Sequence, residues 1–78
     1  MTVTVYSTPT CRYCVAAKRY LKDHRVAFRD VDVSRDARAA AEMVRKTGQQ
    51  GVPVIDVNGR TIVGFDKARL NRALGIAG

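Results

Sequence analysis

The only two cysteines of this 78-residue chain, Cys11 and Cys14, stand three positions apart. They follow a short apolar strand pattern and open a helical one. A bridge between residues so close constrains little of the unfolded chain, so it cannot hold a fold together. It can open and close, and the pair reads as a reactive disulfide. Zinc would require two further ligands, which a second copy of the chain would have to supply.

Length allows one domain, 1–78, with a single small core. No stretch approaches the roughly 20 apolar residues of a membrane span. Met1-Thr2-Val3-Thr4-Val5 shows neither a basic leader nor a long apolar run. A secreted domain of this size usually carries several disulfides, and this chain has cysteines for one. The expectation is a cytoplasmic protein without membrane association, its dithiol reduced at rest. Net charge is +7, yet the arginines are scattered along every element and lack interleaved aromatics. That pattern argues against a nucleic-acid surface and points to faster encounters with acidic partners.

Residues 2–6 alternate with Val3 and Val5 on one face and end in the turn Ser7-Thr8-Pro9-Thr10. From Arg12 to about His24 the apolar step becomes helical through Cys14, Ala17, Tyr20 and Leu21. Ala27 to Val33 reads as a second strand carrying Phe28, Val31 and Val33. Ser34 is the expected cap of a second helix, with Asp36 in its first turn, a stripe of Ala37, Ala40, Met43 and Val44, and Gly48 as its stop. Val52 to Val57 and Arg60 to Val63 flank Asn58-Gly59, a strong hairpin signal. Asp66 caps a last helix with Leu70, Ala73 and Leu74 inward, ended by Gly75, with Ile76 folding back on its last turn. The order β-α-β-α-β-β-α predicts an α/β thioredoxin fold with a four-stranded mixed sheet and three helices.

Cys11 falls at a helix N-terminus, where free backbone N–H groups and the macrodipole favour negative charge, and Arg12 adds a cation beside it. Cys14 lies one turn inside. Cys11 is therefore the expected nucleophile and Cys14 the resolving thiol. His24, the lone histidine, reads as a helix-end residue, and no metal ligand is assigned.

Three segments in order resemble the glutaredoxin family across nearly the whole chain: Tyr6-Ser7-Thr8-Pro9-Thr10-Cys11-Arg12-Tyr13-Cys14, Val52-Pro53, and Gly64-Phe65-Asp66. The resemblance implies a dithiol–disulfide oxidoreductase, an electron carrier for protein or low-molecular-weight mixed disulfides, monomeric and without a tightly bound cofactor. It implies a cis Val52-Pro53 bond beside the dithiol, with Val52 pairing an extended substrate. Arg12, Tyr13, Gly64, Phe65 and Asp66 would line the substrate groove. Gly64-Phe65 is also similar to redoxins that serve ribonucleotide reductase and are recharged by thioredoxin reductase and NADPH. Glutathione-binding members typically carry basic residues where this chain has Thr8 and Gln49, and an acidic one where it has Lys67. Arg45 or Lys67 would be the substitutes, so glutathione and thioredoxin reductase both stand as reductants. The alternative is a metal-binding module, with zinc or an iron–sulfur cluster held by the two cysteines in a dimer. A redox-sensitive nucleic-acid binder is a further reading that the scattered arginines disfavour.

Overall fold

The computed structural model describes residues 1–76. Its elements are β1 (Val3–Ser7), α1 (Arg12–Asp23), β2 (Arg29–Asp32), α2 (Ala37–Thr47), β3 (Val54–Val57), β4 (Arg60–Val63) and α3 (Lys67–Leu74). The sheet runs β2-β1-β3-β4, with β2 parallel to β1 and β3 antiparallel to both its neighbours. Three helices on a four-stranded mixed sheet are the minimal thioredoxin-type fold predicted above.

Strand alternation sends side chains to two cores. Val3, Val5, Ile55, Val57 and Ile62 meet Ala17 and Leu21 of α1 and Leu70 and Leu74 of α3. Tyr6 and Val54 meet Met43 of α2, with Val31, Val33, Ala39 and Val52 around them. Helices thus cover both faces, and β3, interior to the sheet, is buried at all four positions. Phe28 joins the α1/α3 core while Val31 and Val33 join the other. The second strand is shorter than its apolar pattern, because pairing with β1 runs only from Arg29 to Asp32.

The cap of α2 differs from expectation. Asp36, not Ser34, is the N-cap, and its carboxylate accepts the Ala39 N–H at 3.0 Å. Ser34 is held one turn earlier, where its N–H and hydroxyl both donate to Asp32 Oδ1. A carboxylate two residues away outcompetes the helix end for the serine. The later start also moves the stripe: Met43 is buried, Ala37 is exposed, and Ala39 packs on the sheet.

The hairpin, the last helix and its stop are as read from sequence. Asn58 and Gly59 both take positive φ (53° and 92°), and Val57 pairs with Arg60, giving a two-residue turn that matches strand twist. Asp66 caps α3 through the Arg69 N–H, Gly75 closes it at φ 72°, and the Ile76 N–H returns to the Asn71 carbonyl. The first helix ends less predictably, with Arg25 in the left-handed region at φ 57°. There the Val26 N–H bonds the Leu21 carbonyl, a closure usually given to glycine.

Candidate active site

The Ser7–Thr10 turn delivers Cys11 to the N-cap of α1 in extended conformation (φ −89°, ψ 112°). Its N–H bonds the Thr8 carbonyl at 3.3 Å, and its own carbonyl accepts the Val15 N–H. Cys11 Sγ then takes the place of the usual capping oxygen and accepts the Cys14 N–H at 3.1 Å. That donor is fixed by the helix and aims at the sulfur whether it is thiol or thiolate.

Both cysteines are free thiols, with Cys11 partly exposed and Cys14 at 0% exposure. Burial first, and then a hydrogen bond with Cys11, push the Cys14 thiol up to about 11. Lys18, one turn further along α1, opposes this with its charge. Lys18 is anchored to Asp30 Oδ2 at 2.9 Å, and Asp30 accepts from the buried Ser7 hydroxyl at 2.8 Å. This cluster behind Cys14 escaped the sequence reading. Its one local signal was the four-residue spacing from Cys14 to Lys18.

The second wall comes from 41 residues away. Cys11 Sγ faces the Val52 carbonyl oxygen at 3.8 Å. The Val52–Pro53 bond is cis, and Val52 stands outside both ladders, which begin at Val54. Pro53 accepts the Gly64 N–H at 2.8 Å. Gly64 holds φ 82°, a conformation open to glycine and strained for other residues. So Val52, Pro53 and Gly64 are brought into one structure beside Cys11.

The other expected lining residues divide. Tyr13, 66% exposed, and Arg12 stand at the rim of the dithiol. Phe65 turns toward α1, its ring edge-on to Tyr20 at 5.6 Å. Asp66 is occupied by its own helix, capping the Arg69 N–H at 3.1 Å and pairing with the Arg69 guanidinium at 3.5 Å. Gln49 braces the loop before Val52, accepting the Gly51 N–H at 2.6 Å and donating to the Gly51 carbonyl at 3.2 Å. Lys67 lies over the rings of Tyr20 and Phe65 at 5.6 and 5.7 Å.

His24 is exposed, its Nδ1 2.9 Å from the Tyr20 carbonyl oxygen, a helix-end arrangement. Among the described residues no three His, Cys, Asp or Glu side chains converge on a common metal position. No helix there is long and apolar enough to cross a membrane.

The chain is similar to known proteins in sequence and in fold. The glutaredoxin family model matches residues 3–62. An uncharacterized glutaredoxin-like 8.6 kDa protein in the rubredoxin operon of Clostridium pasteurianum is 43% identical over 72 residues, covering 92% of this chain and 96% of that one. A mutant of the thioredoxin-like protein BC3987 superposes with a TM-score of 0.92 at 30% identity, over 97% of both chains. The glutaredoxin-like NrdH-redoxin from Escherichia coli, described for its thioredoxin-like activity profile, superposes with a TM-score of 0.81 at 30% identity, over 92% and 93%. A dithiol at a helix N-cap, a matching family model and near-complete superposition lead to one assignment: the chain belongs to the glutaredoxin family of thiol–disulfide oxidoreductases.

Proposed function

We propose that the protein is a dithiol electron carrier that reduces protein disulfides and is recharged by thioredoxin reductase and NADPH rather than by glutathione. The observation that carries the chemistry is the Cys14 N–H bonded to the Cys11 sulfur at 3.1 Å, with the Cys14 thiol wholly buried. One sulfur is presented and stabilised; the other is withheld.

The reaction follows from that asymmetry. Thiolate Cys11 attacks a substrate disulfide, forms a mixed disulfide and expels one substrate thiolate. The Cys14 thiol attacks Cys11 Sγ and gives up its proton, which ends on a departing substrate thiolate, as the mixed disulfide breaks and a Cys11–Cys14 bond forms. Two electrons pass from protein to substrate, and the reductase returns two. Lys18 stands where it favours the transient charge on Cys14. Val52, free of the ladders and next to Cys11, offers its backbone to an extended substrate segment.

The choice of reductant is supported by what the relevant side chains are doing. Thr8 carries no charge, Gln49 is tied to Gly51 and Asp66 caps α3. Thr8 and Gln49 thus supply no cation for a carboxylate of glutathione, and the Asp66 carboxylate is already engaged by its own helix. The structural similarity to NrdH-redoxin and the Gly64-Phe65 pair support ribonucleotide reductase as a protein substrate.

Stopped-flow reduction of the oxidised protein decides between reductants. Rapid reduction by NADPH with thioredoxin reductase, and slow reduction by millimolar glutathione, is the expected result. Rapid reduction by glutathione alone would overturn the choice of reductant. Failure of both would overturn the electron-carrier reading.

A further inference from the structure

We infer that the groove along the outer side of α1, starting at Arg12, seats an acidic and apolar segment flanking the reacting cysteine of a protein disulfide substrate. This inference rests on the thiol–disulfide reading above and adds the class of protein that the site selects.

The groove encloses about 380 Å³ between α1 and the turn into α3. It starts at Arg12, adjacent to the nucleophile, and follows one helical stripe through Val15, Ala16, Arg19 and Tyr20 to Asp23. That stripe is about 16 Å long, the span of roughly five extended residues. Phe65 and Lys67 form its opposite wall. Arg12, its first lining residue, follows Cys11 in the chain, so the groove opens next to the residue that carries the mixed disulfide.

The lining is apolar below and cationic above. Val15 is 50% exposed although it stands on a helix with a well-filled core face. Tyr20 and Phe65 pack edge to face under the Lys67 ammonium. Arg12, Arg19 and Lys67 supply three cations, and among the described residues none of them lies in an ion pair with a carboxylate. Asp23 is the single acidic lining residue and sits at the end remote from Cys11. The charge complement is therefore a peptide with acidic residues close to its cysteine and apolar ones between them. A basic flanking segment meets three like charges and is rejected.

The test uses the reduced protein in single turnover with three symmetric peptide disulfides. Each peptide has one cysteine followed by five residues: alternating Glu and Leu, the isosteric Gln and Leu version, and the Lys and Leu version. The expected order of second-order rate constants is Glu over Gln over Lys, with about ten-fold or more between the first two at low salt. The gap closes as salt screens the charges. Arg19→Glu combined with Lys67→Glu should lower the Glu/Gln ratio to near one. Equal rates for the Glu and Gln peptides overturn the inference and leave the oxidoreductase reading intact. A ratio that survives the double substitution also overturns it, by placing the selectivity elsewhere. If none of the three disulfides is reduced, the electron-carrier reading fails and this inference fails with it.

Discussion

Cys14 gives its backbone N–H to the sulfur of Cys11 across 3.1 Å, while its own sulfur is shut away from solvent. On the proposed mechanism, one residue thereby holds the attacking sulfur and keeps the resolving one in reserve. Cys11→Ser should abolish disulfide reduction. Cys14→Ser should still attack and then accumulate the mixed disulfide, with turnover reduced by about a hundred-fold or more. Mass spectrometry of the protein after exposure to a peptide disulfide checks both. Loss of mixed-disulfide formation in Cys14→Ser and its retention in Cys11→Ser would reverse the roles.

The raised Cys14 thiol links stability to alkaline pH. Its folded value is about 11, against an ordinary value of 9.0. The folded state therefore keeps a proton that the unfolded chain surrenders first. Its contribution is full below pH 9 and disappears as pH rises toward 11. Thermal melts of the reduced protein should show a fall in Tm across that window, and Cys14→Ala should flatten it. An unchanged slope in the variant would contradict the assignment.

Lys46 joins three acceptors on the α2 side of the sheet: Tyr6 Oη at 3.1 Å, Asp56 Oδ2 at 2.9 Å and Glu42 Oε1 at 3.1 Å. Hydrogen bonds to Tyr6 and then Asp56 raise its pKa above the ordinary lysine value. The Asp56 side chain is 10% exposed. Lys46→Met strands that carboxylate with only the Gly59 N–H at 2.7 Å. The expected cost is about 1–3 kcal/mol, below that of a fully buried pair because Lys46 itself is partly solvated. Urea unfolding at pH 7 measures it, and Asp56→Asn should cost less, since it leaves no buried charge. A loss within about 0.5 kcal/mol for Lys46→Met would show that the cluster is solvent-screened.

The capping of α2 separates two neighbouring residues. Asp36→Ala removes the acceptor for the Ala39 N–H and should cost about 1 kcal/mol. Ser34→Ala removes only a turn contact to Asp32 and should cost under about 0.5 kcal/mol. Chemical denaturation of the two variants side by side reads the difference. The reverse order would return the cap to Ser34.

Local features of the chain were legible because they depend on contacts within about four residues. The helical step from Cys14 to Leu21, the Asn58-Gly59 turn, the Asp66 cap and the glycines that close α2 and α3 are of this kind. Ser34 was misread because Ser and Asp both cap well, and the choice turned on where Asp32 sits at the end of β2. Arg25 gave no signal, since arginine has no special preference for the left-handed conformation it adopts.

From the sequence alone come the dithiol, its place between a strand and a helix, and the order of elements that brings a thioredoxin-type sheet together. Tertiary structure decided what surrounds the dithiol. The Val52 carbonyl faces Cys11 from 41 residues away, Pro53 is tied to Gly64, and Phe65 crosses to α1 to wall a groove that begins at Arg12. It also decided that Asp66 spends its carboxylate on α3, and that Lys18, Asp30 and Ser7 gather behind Cys14. Periodicity records which residues share a face of one element. Which faces meet depends on the order β2-β1-β3-β4 and on the side of the sheet each helix takes, and those are set by burying all the apolar faces at once.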